Sequence, residues 1–444
     1  MKRIGAVLAL LFTMLGAAGA ETYRFTLEEA IAYGLTNSTA IRSKQLAVAA
    51  AQADLAAAKA GYYPSVSAGA NWTHLFDNAK ETFPGSGTEA YISGSDPLGL
   101  SLDVGQSVYT FGKIRNGVKL AEEAVAQAAL DLAEENRKLV VLIKNAFYGY
   151  LLALEVQAIN RETLESKEEA LEVARARYEA GLVADFEVLQ AESDLESYRA
   201  TVISSDNSVE VALLNVRNVL GIEEEDFEFQ LVGELVQIPV ELDRDVLIQT
   251  ALAGKYDLQS FRKLRDVTAA QNELNRSLRL PTLAAWANYS LQTRYDPVSG
   301  DTEYFNSDYW DGSLTMGLNL SIPISGHFPW SEESAGIRKA QIQAEDQRLR
   351  YGSIESGIRI AVETSVLKIA EERAKIASGK KSVDLAQRLY EAALVQYEGG
   401  YISSVELKDA QLGLNGARLA YAQAIYNYNS NVLDLMDVVG VAEF

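Results

Sequence analysis

Arg177-Tyr178-Glu179-Ala180-Gly181-Leu182-Val183-Ala184-Asp185 and Gln396-Tyr397-Glu398-Gly399-Gly400-Tyr401-Ile402-Ser403-Ser404 are the two stretches from which the fold is read. They align without a gap at a separation of 219 positions, and Leu220-Gly221 falls on Val439-Gly440 at the same offset. Leu35, Ile41 and Pro64 pair with Leu252, Leu258 and Pro281 at an offset of 217. So long a period is not that of a solenoid, and duplication of a domain-sized unit is the reading it supports. The expected organisation is a first repeat over 21–221, a connector over 222–243 and a second repeat over 244–444.

Both repeats have the same internal order. An Ala-rich helical stretch (Leu27 to Ala60, then Asp245 to Leu278) is stopped by Pro64 or Pro281, whose ring fixes φ and removes a donor. Period-two alternation follows. In Ser65 to Phe76, Val66, Ala68, Ala70, Trp72 and Phe76 oppose Ser65, Ser67, Gly69, Asn71 and Thr73, and Leu98 to Tyr109 repeats the pattern. Ser313 to Ile322 is the clearest strand of the second unit; Leu283 to Leu291 is the weakest, because Trp286 sits on its small-residue face. Loops rich in Gly, Ser, Asp and Pro, Asp77 to Pro97 and Arg294 to Asp311, join the paired strands.

Strands of about ten residues with one apolar face fit a transmembrane barrel. A soluble antiparallel sheet packed on one face gives the same alternation. Aromatic residues near the strand ends (Trp72, Tyr109, Phe111, Tyr289, Tyr309, Trp310) favour the membrane, since Trp and Tyr prefer headgroup depth.

A very long helix follows each strand pair, Gly112 to Ala180 and Glu332 to Glu398, free of Pro and dominated in the first case by Ala, Leu, Glu and Lys. A helix of that length reaches roughly 100 Å and needs lateral partners, as in a coiled coil. The quoted turns break these helices. Gly181 and Gly400 can take the left-handed conformation that ends a helix, Asp185 and Ser404 are natural N-caps for the next, and Ser403 with Glu406 has capping-box spacing. Helical hairpins alone account for these features.

The N-terminus is expected to be a secretory signal over residues 1–20: Lys2 and Arg3, an apolar run from Ile4 to Leu15, and Ala18-Gly19-Ala20 for cleavage. The chain contains no Cys, which excludes a thiol-anchored lipoprotein, disulfides and thiol chemistry. With 61 acidic against 40 basic residues it has no basic stripe for nucleic acid, although an acidic lumen would favour cations. Beyond the signal, the best candidate membrane helix, Leu139 to Leu154, is interrupted by Lys144 and Asn145, so a crossing would have to use strands closed into a barrel.

The two Tyr-x-x-Gly turns and the order helix, Pro, strand, loop, strand, long helix, turn, helix, given twice, resemble the TolC-like outer-membrane efflux protein family over nearly the whole chain. The resemblance implies a mainly α fold with a membrane β-barrel portion: a homotrimer whose twelve-stranded barrel crosses the outer membrane and continues as a hollow coiled-coil α-barrel across the periplasm. It implies that 222–243 belongs to an equatorial belt. It further implies an exit duct of a tripartite efflux or type I secretion system, with a periplasmic membrane-fusion adaptor and an inner-membrane pump of RND, ABC or MFS type as partners, outer-membrane lipid around the barrel, and no cofactor. Carried onto this sequence, the family's pore-narrowing acids fall on Glu406 and Asp409, with Glu406 one methylene longer than the usual Asp and Lys408 an unusual charged neighbour. Such a ring would attract cations and raise its own proton affinity. Complementing the helix N-terminus is the plainer role for the same acids. Gly181, Leu182, Val183, Gly400, Tyr401 and Ile402 are the expected adaptor contacts; packing between neighbouring hairpins explains the apolar ones too.

No enzyme motif accompanies these features. His74 and His327 are the only histidines and sit in different repeats, and there is no His-Glu-x-x-His, phosphate loop or nucleophile elbow. The competing function is an exported coiled-coil scaffold with a soluble sheet and no channel activity.

Overall fold

The computed structural model describes residues 23–76, 80–82, 89–91, 96–222, 229–293 and 310–443. The expected signal and most of both strand-joining loops, Tyr309 included, lie outside the described residues. In chain order, the first part runs Tyr23–Phe25 (β1), Leu27–Asn37 (α1), Thr39–Ala60 (α2), Ser65–Trp72 (β2), Lys80–Thr82 (β3), Glu89–Tyr91 (β4), Leu98–Tyr109 (β5), Lys113–Glu179 (α3) and Asp185–Leu220 (α4). The second runs Phe229–Leu231 (β6), Arg244–Gly254 (α5), Tyr256–Ser277 (α6), Thr282–Thr293 (β7), Trp310–Ser321 (β8), Glu332–Glu398 (α7) and Ser404–Val439 (α8).

The Ala-rich stretches, expected as single helices, are each broken into two. Ser38 and Lys255 sit at the breaks in extended conformation, closing α1 and α5. A capping box between Thr26 and Glu29 starts α1, and the Asp243 carboxylate accepts from the amides of Asp245 and Val246 to start α5. α2 and α6 end a few residues before Pro64 and Pro281, as proline chemistry requires.

The described residues of the chain fall into two compact units, one within Met1–Ser43, Ala133–Lys255 and Ser356–Phe444, the other within Lys44–Leu132 and Tyr256–Glu355. In the second unit β2, β5, β7 and β8 form one antiparallel sheet in the order β2-β5-β7-β8. The register aligns Ser67, Asp103, Asn288 and Thr315 in one row and Gly69, Ser101, Ser290 and Ser313 in the next, so one face is built mostly of small and polar residues, with Trp286 in the row beyond Asp103 and Asn288. Asn288 Nδ2 donates to Asp103 Oδ1 at 2.6 Å, and the Ser290 and Ser313 hydroxyls meet at 2.8 Å. The opposite face carries Leu100, Leu102, Val104, Leu314, Met316, Leu318 and Leu320, and it is bare: Met316 and Leu318 are 70% and 72% exposed.

Aromatic residues collect at both ends of these strands. Trp72, His74 and Phe76 follow one another at one end, His74 Nδ1 meeting Asp96 Oδ1 at 2.7 Å. Tyr109 against Phe111, and Phe328 stacked on Trp330, occupy the other. Tyr289, expected near a strand end, instead stands within β7 opposite Leu102 and Leu314. His74 lies just past β2, not in the strand, and His327 ends a 3-10 turn.

The first unit is helical apart from a parallel pair, β1 with β6. Ile143 of α3, Val216 and Leu220 of α4, Val362 and Ile369 of α7, and Val432, Leu433, Leu435 and Val439 of α8 are almost wholly buried, each worth about 1.5–3 kcal/mol of burial. By length and composition α3 does contain a window able to cross a membrane. Several of its apolar residues serve this core: Leu139, Val141, Ile143, Phe147 and Leu151 are buried while Leu142 is exposed, and Lys144 Nζ donates to Ala442 O at 2.8 Å.

Residues 236–240, within the expected connector, are held by a buried amide. Asn429 Oδ1 accepts from Ile238 N at 2.9 Å and its Nδ2 donates to Val236 O at 2.8 Å, while Tyr428 Oη donates to Ile238 O and Arg373 to Val240 O.

Candidate functional site at the hairpin tips

The two long helices end alike. Gly181 and Gly400 have φ of 72° and 74°. The amide of Leu182 donates to Arg177 O and that of Gly181 to Tyr178 O; Tyr401 to Gln396 O and Gly400 to Tyr397 O repeat the pattern. These are Schellman closures, in which the left-handed residue lets the chain turn back to cap the last carbonyls. The same left-handed cap ends the returning helices at Gly221 and Gly440.

The restarts differ from expectation and from each other. Ala184, not Asp185, is the N-cap of α4 and makes no side-chain cap bond; Asp185 is the first helical residue. Ser403, not Ser404, caps α8 in a full capping box with Glu406, whose Oε2 accepts from Ser403 N at 2.8 Å and from Ser403 Oγ at 3.0 Å. Those two bonds, the backbone one foremost, hold the Glu406 carboxyl below the usual glutamate range.

Glu406 and Asp409 are both exposed, three residues apart on one face of α8. Leu412, Gly413 and Gly416 continue this exposed stripe. Lys408 does not neutralise it, because its Nζ binds Asp194 Oδ1 of α4 at 2.7 Å. That ion pair joins the first hairpin to the second. A further link is Arg177, whose guanidinium lies 4.9 Å from the Tyr397 ring centre and whose Nη1 donates to Tyr397 O. Between the links is a cavity of about 60 Å³, lined among others by Lys167, Glu187, Asp194, Tyr397, Lys408 and Gln411. Lys167 is buried there over the Tyr198 ring, and burial lowers its proton affinity against the opposing pull of Asp194.

Of the expected adaptor contacts, Leu182 and Tyr401 project furthest, at 71% and 85% exposure, with Gly181 and Gly400 exposed beneath them. Val183 is half-buried, and Ile402 packs on the cluster of Ala393, Tyr397, Leu407 and Ala410. Phe186 and Leu189, which the sequence reading passed over, are as bare as the turn itself. Their signal was an apolar pair in the first turns of a helix that opens with Asp185. Among the described residues no cluster of three or more His, Asp or Glu could hold a metal.

The model of the outer membrane efflux protein family matches residues 32–222 and again 247–441. The chain belongs to this family. It is similar to the outer membrane protein TolC of Escherichia coli, 23% identical over 358 residues that cover 78% of this chain and 70% of that one. The alkaline protease secretion protein AprF of Pseudomonas aeruginosa is 25% identical over 315 residues, covering 69% and 63%. Among solved structures, the Campylobacter jejuni CmeC outer membrane channel superposes with a TM-score of 0.76 at 17% identity, over 94% of this chain and 86% of that chain. This efflux protein is therefore a mainly helical chain of the outer membrane whose sheet and hairpins share the fold of known outer-membrane channels.

Proposed function

We propose that the chain, built as two copies of one strand-and-hairpin unit, is the subunit of a homotrimeric exit duct: a passive conduit through the outer membrane, continued by its helices into the periplasm. The observation that carries this reading is the two-sided sheet. Its apolar face is bare over four strands, its other face is polar, and it has two edges, β2 and β8. A bare apolar face with open edges is a liability in water. Three copies joined β8 to β2 would close twelve strands, turn the leucines toward lipid and leave no edge. The aromatic groups at both strand ends would then lie at headgroup depth.

The helices carry a matching seam. Ile358, Val362, Ser365, Ile369, Glu372 and Ile376 form the buried stripe of α7 at alternating four- and three-residue steps. Ile342, Leu349, Ile360, Leu367, Leu385 and Leu389 form a second apolar stripe that a lone chain leaves exposed, and a neighbouring copy would cover it.

In the assembled duct, Glu406 and Asp409 narrow the pore, and the tips at Gly181, Leu182, Val183, Gly400, Tyr401 and Ile402 meet a periplasmic membrane-fusion adaptor bound to an inner-membrane pump of RND, ABC or MFS type. The partners follow from the family, whose members include a protease secretion protein. The test is fractionation followed by planar-bilayer recording. The duct requires detergent extraction and ion conduction; a carbonate-extractable, non-conducting protein would establish the coiled-coil scaffold instead.

A further inference from the structure

Among the described residues, the polar face of the sheet consists of Gly, Ser, Thr, Asn, Gln, Asp and Ala, with a single exception: Trp286. The register sets it between two glycines, Gly105 of β5 and Gly317 of β8. The indole lies across Gly317, where an added Cβ would stand 3.1 Å from its Nε1 and Cζ2. With no side chain on either flank, the ring remains 43% exposed on the polar face of the sheet. The charges on this face, again among the described residues, are Asp103 and Asp311, with no Lys or Arg. Asp103 occupies the next row, two residues along and one strand over, held by Asn288. That step is roughly 8 Å, from about 3.4 Å per residue and 4.8 Å per strand.

An indole face attracts cations more strongly than any other aromatic side chain. A flat ring beside a carboxylate at this spacing matches a planar aromatic cation, its rings stacked on the indole and its positive end turned to Asp103. We propose that Trp286 and Asp103 form a binding subsite for planar organic cations on the lumen wall of the barrel. The proposal rests on the duct reading, since it needs the polar face to line the lumen. In a trimer the subsite would occur three times at one level, lengthening the stay of such solutes without blocking inorganic ions.

The test is single-channel block by proflavine, a planar acridinium cation, in wild type, Trp286→Leu, Trp286→Phe and Asp103→Asn. Leucine fills space over Gly317 without a π-face, so block should weaken roughly two- to fivefold, the loss of one exposed cation–π contact. Trp286→Phe, which keeps a ring on Gly317 and guards against a folding failure, should fall between the two. Asp103→Asn should weaken block by proflavine and leave block by an uncharged planar dye unchanged. Wild-type block in a conducting Trp286→Leu channel would show that the indole only packs against Gly317, overturning the proposal. Unchanged proflavine block in Asp103→Asn would overturn the assignment to cations. A wild-type protein that does not conduct would overturn the duct reading itself, a separate result.

Discussion

Replacing Asn429 should release the connector locally. Its side chain is fully buried and makes two hydrogen bonds to the connector backbone, at Ile238 N and Val236 O. Each such bond contributes about 0.5–1.5 kcal/mol net, so losing both lowers the opening free energy of the segment by about 1–3 kcal/mol. At a tenfold change per 1.4 kcal/mol, the Ile238 amide should exchange roughly 5- to 150-fold faster. The assay is hydrogen exchange of the detergent-solubilised protein, read on peptides covering 232–243. Asn429→Ala opens a small void as well as removing the bonds, whereas Asn429→Leu keeps the branched shape and overfills the site; similar acceleration in both assigns the effect to the hydrogen bonding that both remove. Unchanged exchange at Ile238 in both variants would show instead that Tyr428 and Arg373 hold the segment unaided.

Other predictions concern the tips. Ser403→Ala should destabilise the start of α8 by about 1 kcal/mol, seen as faster exchange of the amides following the turn. Because the folded-state affinity of Glu406 for protons is lowered, its share of the cap is present above the ordinary glutamate pKa and lost as pH falls through the lowered value; the mutational difference should shrink with it. Lys408→Ala and Asp194→Ala should be non-additive in thermal unfolding by about 0.5–1 kcal/mol, as expected of a bond about one-third exposed, and full additivity would argue against a link between the hairpins. Glu406→Ala combined with Asp409→Ala should weaken multivalent-cation block of the pore; unchanged block would remove these residues from the constriction.

Most of the architecture was legible because its signals are local and repeated. The alternation of Ser313 to Ile322 and the glycines at the two turns each dictate one conformation, and each reappears in the other half of the chain. The helix breaks at Ser38 and Lys255 were overlooked because the Ala-rich composition runs through them, although Asn37-Ser38 and Gly254 are residue types that end or cap a helix. The cap of α4 was misplaced by one residue because Asp185 is a good cap by type, yet the chain turns at Ala184. At the candidate site, the capping box was readable from spacing alone. The partner of Lys408 was not, because Asp194 lies on another helix, more than two hundred residues earlier in sequence. Trp286 stood out as an irregularity in β7, but only the register with Gly105 and Gly317 gives it a setting.

Closure of three copies of one sheet into a barrel through β2 and β8 is tested most directly by disulfide crosslinking. The chain has no native cysteine, so introduced pairs report cleanly. One cysteine on the apolar face of β2, at Val66, Ala68 or Ala70, is combined with one on β8, at Met316, Leu318 or Leu320, and the protein is oxidised in outer-membrane vesicles. At least one pairing should give a covalently closed trimer on denaturing gels, abolished by reductant. Monomers from every combination, in protein that remains folded and membrane-bound, would contradict that closure.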